Sequence, residues 1–346
     1  MDFVNQKILV VGLARTGVAL CRFLAGAGAR VTVTDQAPPE ALADQRRDIR
    51  GLGVTEHLGV EQPHWQGFEA IVLSPGVPPE LPWLEAARQA GLPVVGELEV
   101  ASAFIWRPLV AVSGTNGKTT TTALLGELLL ASGKKPLVGG NIGTPVVDLL
   151  GRQEEADCLV LEVSSFQLDT APHFHPQAAA LLNITPDHLD RYPGYDAYIA
   201  SKAGLFRRQG AGDLMVLNAD DPQVAALDRG GSRVYYFSAE RPLTTGAWLS
   251  NGALQIRLAA GGRSSSPWST SVWPGGITWK TSWRPCSWPW TPGPTPSPAG
   301  RCWRIFPACP TAWNGWPISA GWPFTTTPRA PTWGRWPAPW PTLTGR

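Results

Sequence analysis

Gly114-Thr115-Asn116-Gly117-Lys118-Thr119-Thr120 is the stretch whose reading decides the fold. The apolar run Pro108–Val112 before it has the pattern of a short buried strand. The segment Thr120–Leu130 after it has the pattern of a helix, with Gly133 placed to close it. A glycine-rich turn between strand and helix lets backbone N–H groups crowd around a phosphate at the positive helix end. Gly114, Thr115, Asn116, Gly117, Lys118, Thr119 and Thr120 are therefore the expected nucleotide-binding residues. Lys118 would reach the terminal phosphates and the Thr119 hydroxyl would ligate Mg²⁺. Set against G-x-x-x-x-G-K-[ST], Val112 stands where the first glycine belongs, so the loop is a shortened form of that pattern.

The chain has 346 residues and a formal net charge of +2, which suggests two or three domains. Nothing approaches 18 consecutive apolar residues and no basic-then-apolar leader precedes Lys7, so neither a membrane span nor a signal peptide is expected. Composition thus points to a cytoplasmic enzyme. The five cysteines lack metal-like spacing, and Cys21 and Cys158 lie in apolar stretches that suit buried thiols. The charge is uneven. Residues 264–346 carry seven Lys and Arg and no Asp or Glu, leaving residues 1–263 acidic by about five charges. A nucleic-acid-binding tail is one reading of that asymmetry.

Lys7–Val11 is a buried-strand pattern running into Gly12-Leu13-Ala14-Arg15-Thr16-Gly17 and a helical pattern, Val18–Ala25. A second strand, Arg30–Thr34, ends at Asp35, near where dinucleotide folds place an acid for a ribose. Ala14 occupies the middle glycine slot of G-x-G-x-x-G, so an NAD(P) site and a Rossmann-like domain with another ligand both stay open. Strand Ala70–Leu73 leads into Ser74-Pro75-Gly76-Val77, either a plain tight turn or a ligand turn at a strand's carboxyl end. Trp83–Ala90 and Pro93–Val95 continue the helix–strand rhythm, and Arg107-Pro108 suits a domain junction.

Beyond the phosphate loop, apolar runs end in polar clusters. Leu137–Ile142 closes in Gly139-Gly140-Asn141-Ile142-Gly143, whose glycines permit close backbone approach to a ligand. Asp157–Val163 is a strand carrying Glu162, which is placed either to hold Mg²⁺ or to sit in a buried structural pair. Ala178–Asn183 ends in a loop where Asp187 and His188 leave together, a position suited to metal ligation or substrate contact. His173 and His175 flank a proline loop and receive no role. The helix Tyr195–Phe206 carries Lys202 on the face of Tyr195, Tyr198 and Ile199, and the default expectation for such a lysine is a solvated surface.

GTNGKTT (114–120), GGNIG (139–143), LEVSSFQL (161–168), NITPDHLDRY (183–192) and YIASKAGLF (198–206), in that order, resemble the ATP-dependent Mur ligases of peptidoglycan synthesis. The SSFQL stretch and the GLARTG opening resemble the branch that adds D-glutamate to UDP-N-acetylmuramoyl-L-alanine. The likeness covers roughly residues 5–260. It implies an α/β chain: a Rossmann-like N-terminal domain (1–107) that binds the UDP substrate, then a P-loop mononucleotide-binding central domain (108–263). It implies ATP and two Mg²⁺ ions, with Lys118, His188 and Lys202 catalytic and Thr119, Glu162, His188 and Lys202 at the metals. Lys202 matches a family lysine carbamylated by CO₂. Asn141 and His188 would position the muramoyl group, and Thr16, Asp35, Ser74, Pro75 and Gly76 the UDP moiety, which displaces the NAD(P) reading. A monomer without nucleic-acid partner follows from the same likeness. Rival readings are another Mur-type amino-acid ligase, a catalytically silent nucleotide-binding module, or an oxidoreductase.

The resemblance stops near residue 263, and the composition changes there. Residues 264–346 hold thirteen of the 17 Trp, half of the 34 Pro and one Leu, with no helical or strand periodicity, so an irregular C-terminal remnant is expected. A genuine Trp/Pro-rich tail is one explanation and translation out of frame is another. Taking the last base of each codon with the first two of the next, Trp279-Lys280 and Trp313-Asn314 each force Glu. Gly276–Thr281 can then spell His-Asn-Leu-Glu-Asn, Pro310–Trp316 His-Arg-Met-Glu-Trp-Val, and Phe324–Thr332 Tyr-Asn-Asp-Ser-Lys-Gly-Thr-Asn. These resemble, in order, the HN, HR and DSK motifs of the family's carboxy-terminal region. The shifted frame is the expectation carried forward.

Overall fold

Ile8, Leu9, Val10, Ile71, Leu73 and Val33 lie in short apolar runs and are buried to 2 % exposure or less. Strands covered on both faces read as continuous apolar runs, and they pair in parallel because helices fill both sides. The computed structural model describes residues 3–228, 230–251 and 253–258, and the backbone of 270–272. Strands β1 (Lys7–Val11), β2 (Arg30–Asp35), β3 (Thr55–Leu58), β4 (Ala70–Leu73) and β5 (Val94–Gly96) form a parallel sheet in the order β3-β2-β1-β4-β5. Helices α1 (Arg15–Gly26), α2 (Ala43–Ile49), α3 (Pro82–Gln89) and α4 (Glu97–Ser102) belong to this unit. The strand order reverses between β1 and β4, so the Gly12–Gly17 turn and the Ser74–Val77 turn share the crevice where such sheets bind ligands.

The second sheet contains β6 (Leu109–Ser113), β7 (Pro136–Gly140), β8 (Cys158–Glu162), β9 (Ala178–Leu181), β10 (Leu214–Asn218), β11 (Arg233–Ser238), β12 (Gly246–Ser250), β13 (Ala253–Arg257) and β14 (Thr270–Val272). Its order is β14-β13-β12-β11-β10-β9-β6-β8-β7, parallel from β7 to β12 and antiparallel at β13 and β14. Helices α5 (Lys118–Ala131), α6 (Val146–Leu149), α7 (Ser165–Asp169), α8 (Tyr195–Ala203) and α9 (Pro222–Ala225) accompany it. Apart from the backbone of β14, residues 264–346 lie outside the described residues, and the expectation of an irregular remnant there lies outside with them. Among the described residues no helix is long and apolar enough to cross a membrane.

Strand positions read from the sequence agree within one or two residues, while α5 starts two residues earlier than its apolar pattern. Gly117, at φ +84°, turns the chain so that Lys118 and Thr119 already lie in the first helical turn. At the other end Gly133, at φ +76°, donates to Leu130 O, and Lys134 N donates to Leu129 O, a left-handed stop. Cys21 and Cys158 are free and buried, and burial pushes the Cys21 thiol up to about 12.

One apolar core runs across both units, and α4 supplies polar links between them. Gly96 N donates to Thr170 O at 2.8 Å, and Glu99 accepts from His173 N at 3.0 Å and meets its Nδ1 at 2.6 Å. Glu97, 2 % exposed, accepts from Val147 N at 2.9 Å at the start of α6. Burial raises its pKa to about 7, against the lowering pull of the Val147 and Val146 N–H groups. The folded carboxyl therefore holds its proton more tightly than the unfolded one. Between about pH 4.5 and pH 7 this group's contribution to stability is lost as pH rises, by at most about 3 kcal/mol. Glu97→Gln keeps an acceptor for Val147 and cannot ionise, so its denaturation midpoint should fall less between pH 5 and pH 8 than that of the unaltered chain. Parallel midpoint curves in urea would count against an ionising Glu97.

Candidate active site

The phosphate loop leaves β6 at the place where the second sheet reverses direction, between β8 and β9. Register brings the neighbours together: Val112 lies opposite Glu162, Ser113 opposite Leu181, and Gly140 opposite Glu162. Strand ends far apart in sequence thereby converge on Gly114–Thr120. The loop conformation requires glycine twice. A Cβ on Gly114, at φ +153°, would come within 3.0 Å of Leu182 Cβ, and Gly117 is left-handed.

The segment after β9 holds the loop in place. Thr115 N donates to Asn183 O at 2.9 Å and Asn116 N to Asn183 Oδ1 at 2.8 Å, while Asn183 Nδ2 returns a bond to Asn116 O at 3.0 Å. Thr115 Oγ1 accepts from Thr185 N at 3.1 Å and lies 3.2 Å from the Tyr198 hydroxyl. Asn183 and Tyr198 received no role in the sequence reading. Their signal was their place in the quoted motifs, and only the paired strands show what they touch. Thr119 and Thr120 stand exposed in the first turn of the 14-residue α5, where backbone N–H groups have no intrahelical partner.

Two ammonium groups meet on this loop. Lys118 Nζ donates to Gly114 O and to Thr115 O, both at 2.9 Å, and Lys202 Nζ donates to the same Gly114 O at 2.9 Å. The solvated surface expected for Lys202 is thereby corrected: it is 2 % exposed, with Nζ 4.8 Å from the Tyr198 ring centre. Helix α8 turns that face inward because Tyr198 and Ser201 are buried with it. The Lys202 pKa is lowered to about 7, first by burial and then by the charge of Lys118, while Asp187 and Asp169 pull the other way. Lys118 is lowered by burial too, against the pull of Glu162 and Asp187.

Glu162 is 2 % exposed at the end of β8 and accepts from Asn141 Nδ2 at 3.1 Å, and its backbone O accepts from Asn141 N at 2.8 Å. Asn141, read as a substrate contact, is thus tied to the residue read as a metal ligand. Gly140 permits the approach, since a Cβ there would lie 2.3 Å from Glu162 O. His188 has a left-handed backbone at φ +53°, and its ring lies 4.9 Å from that of Phe166. His188 Nε2 stands 3.6 Å from Asp187 Oδ2. Among the described residues no cluster of three His, Cys, Asp or Glu could hold a metal without help. Mg²⁺ takes one or two protein oxygens and fills its shell with phosphate and water. Thr119 and Glu162 are donors of that kind.

In the first sheet, Asp35 Oδ2 accepts from Leu13 N at 2.7 Å and Oδ1 from Ala37 N at 2.9 Å, so this carboxylate braces the Gly12 turn. Ser74 Oγ donates to Gly12 O at 2.8 Å, joining the two turns of the crevice. Thr16 lies in the first turn of α1, and a Cβ on Gly17 would come 1.9 Å from Gly12 O, so that helix packs close against the strand. Pro75 and Gly76 complete the turn after β4. Thr16, Asp35 and Ser74–Gly76 therefore gather in one crevice, and Lys118, Glu162, Asn141, His188 and Lys202 around the other. His173 and His175 bond Glu99 and Asp213 beside a cavity of about 410 Å³ that includes Trp106 and Arg107. That cavity lies toward the amino ends of β6, β9 and β10, away from the phosphate loop.

Comparison with known proteins bears on both units. The family described as "Mur ligase MurD-like, N-terminal domain" matches residues 6–96, and "Mur ligase middle domain" matches residues 112–264. The UDP-N-acetylmuramoylalanine--D-glutamate ligase of Geobacter metallireducens is 47 % identical over 259 residues, covering 74 % of this chain and 57 % of the relative. The ligase of the same name from Geobacter sp. (strain M21) is 52 % identical over 227 residues, covering 65 % and 50 %. Among solved structures, the UDP-N-acetylmuramate:L-alanyl-gamma-D-glutamyl-meso-diaminopimelate ligase from Neisseria meningitides overlaps 70 % of this chain and 83 % of its own, at 22 % identity and a TM-score of 0.48. The chain spans little more than half the length of the curated relatives it matches. With the two matched segments in family order and relatives at this identity, the chain belongs to the Mur ligase family.

Proposed function

We propose that the parent enzyme is an ATP-dependent amide ligase that adds D-glutamate to UDP-N-acetylmuramoyl-L-alanine, a step of peptidoglycan precursor synthesis in the cytoplasm. The convergence of Lys118 and Lys202 on Gly114 O, beside buried Glu162, carries this reading. The residue roles are those the family likeness implies, and the positions of the groups support them. Residues Gly114–Thr120 hold the ATP phosphates, with Thr119 and Glu162 toward one Mg²⁺. Asn141 and His188 orient the muramoyl end, and His188 and Lys202 serve a second Mg²⁺. Thr16, Asp35, Ser74, Pro75 and Gly76 hold the UDP end in the first domain, residues 1–107, while residues 108–263 form the ATP domain.

An unactivated carboxylate does not form an amide with an amine, so this class of ligase first makes an acyl phosphate, which the amine then attacks. A carboxylate and a triphosphate repel each other. Lys118 supplies a fixed positive charge on that approach, and Mg²⁺, when bound, supplies more of the same screening. Lys202 is suited to a different task. Near neutral pH a large share of its amine is unprotonated, and the nitrogen lone pair can attack the carbon of CO₂. One C–O π pair moves to oxygen and a proton leaves nitrogen, giving a carbamate anion. The neutral amine beside Lys118 thereby becomes an anionic oxygen ligand, with its proton released to solvent. D-glutamate, UDP-N-acetylmuramoyl-L-alanine and ATP are the ligands this reading requires, with a monomer as the working unit.

We propose further that residues 264–346 are read one base out of frame, in place of a C-terminal ligase domain. The ordered shifted strings and the absence of any acid in this segment support the proposal. The chain as written should bind the UDP-linked substrate yet show no D-glutamate-dependent phosphate release. Shifting the frame by one base between codons 257 and 272 should restore it, and turnover by the unshifted chain at an enzymatic rate would sink this part of the proposal.

In the frame-restored enzyme, Lys118→Ala should lower phosphate release by about 10²–10³ while affinity for the UDP substrate stays within a few-fold. Isothermal titration alongside the rate assay separates the two, and near-normal turnover removes the phosphate-loop assignment. For Lys202, the Ala variant should be crippled and partly rescued by short carboxylates in solution, with Lys202→Glu retaining more activity than Lys202→Ala. Full activity in Lys202→Ala would exclude the carbamate.

A further inference from the structure

Arg191 leaves the loop that carries His188 and reaches the other domain. Its Nη2 donates to Val77 O at 3.1 Å, and Val77 closes the Ser74–Gly76 turn through its own N–H to Ser74 O at 3.0 Å. The guanidinium carbon lies 3.8 Å from the centre of the Phe166 ring, and that ring is 4.9 Å from the ring of His188. Arg191 N and Tyr192 N both donate to His188 O, at 3.0 and 3.2 Å, fixing the left-handed backbone of His188. A continuous line of contacts therefore runs from the turn of the first domain, through Arg191 and Phe166, to His188.

The placement is costly. Arg191 Nε is buried without a hydrogen-bond partner among the described residues, and leaving such a donor unpaired costs about 1–3 kcal/mol or more for a charged group. Stacking on Phe166 returns about 0.5–2 kcal/mol. Cohesion between the units already has the shared apolar core and the links from α4. A guanidinium that leaves one donor unpaired while bridging these two loops is better explained by what the loops bind than by stability.

We propose that Arg191 is a positioning residue that couples the two crevices, so that occupancy of the Ser74–Gly76 turn strengthens nucleotide binding at the phosphate loop. By linkage, nucleotide strengthens binding of the UDP-linked substrate by the same factor. The inference rests on the ligand assignments above. The Val77 carbonyl and the Phe166 face fix where the His188 loop sits relative to the Ser74–Gly76 turn, and such a chain of contacts is what carries coupling between sites. Lysine cannot replace arginine here, because an ammonium lacks the planar fork that both stacks and donates sideways.

The test is titration calorimetry on the full chain, using UDP-N-acetylmuramoyl-L-alanine and a non-hydrolysable ATP analogue with Mg²⁺, each alone and with the other saturating. The unaltered chain should show each ligand tightening the other by about fivefold or more. Arg191→Ala and Arg191→Lys should keep each separate Kd within about twofold by this account and bring the mutual effect close to one. Phe166→Leu, which keeps the charge, should weaken the coupling too, and it serves if the arginine variants fail to fold. Coupling absent from the unaltered chain, or unchanged in Arg191→Ala and Phe166→Leu, overturns the inference while leaving the ligand assignments standing. A tenfold loss of UDP-substrate affinity in Arg191→Ala without nucleotide overturns it by making Arg191 a direct ligand contact. Failure of the unaltered chain to bind either ligand removes the proposed function and this inference with it.

Discussion

A single carbonyl oxygen, that of Gly114, receives hydrogen bonds from both Lys118 and Lys202, and the arrangement of the second domain follows from it. Two ammonium groups so close in a buried site repel each other, which helps to drive the pKa of Lys202 toward neutrality. They can be held there only if the carbonyl points inward, the loop backbone is fixed, and acids stand near. Gly114 and Gly117 provide the backbone freedom, Asn183 and Tyr198 fix the loop, and Glu162, Asp187 and Asp169 supply the compensating charge. These residues come from the segments that end or follow β6, β8 and β9, so the site exists only when the sheet has its register.

The two units are joined in two unlike ways. On one side α4 and the Gly96 amide before it set acids and a donor against α6 and the segment after α7, in an interface that also shares apolar core. On the other, Arg191 makes one hydrogen bond and one stacking contact across the ligand side. The first kind of contact costs much to break and sets the resting geometry. The second is small, and a modest change in ligand contacts can outweigh it. Burial of Glu97 places part of the stronger link under the control of pH.

The family likeness spans both units. The family matches cover residues 6–96 and 112–264, which hold every residue of the two crevices described above. In the relatives nearly half of the length lies outside the matched region.

Local pattern was enough for β1 and β4, whose short continuous apolar runs are those of strands buried on both faces, and for the phosphate loop, whose glycines and Lys-Thr pair have few other uses. The family likeness was legible for the same reason: contiguous motifs keep their order whatever the fold does. By contrast, Lys202 reads locally as a surface lysine, because its helix has no strongly one-sided pattern, and burial comes from packing Tyr198 and Ser201 inward. The beginning of α5 at Lys118 depends on one left-handed residue rather than on apolar periodicity. Asn183, Tyr198, Glu97 and Arg191 gain their significance from partners tens of residues away. Short-range sequence therefore determined which groups the protein has available and most of its strands. Which of those groups meet was decided by strand order and register, because contacts at the carboxyl ends of parallel strands are set by the sheet and not by the chain between them.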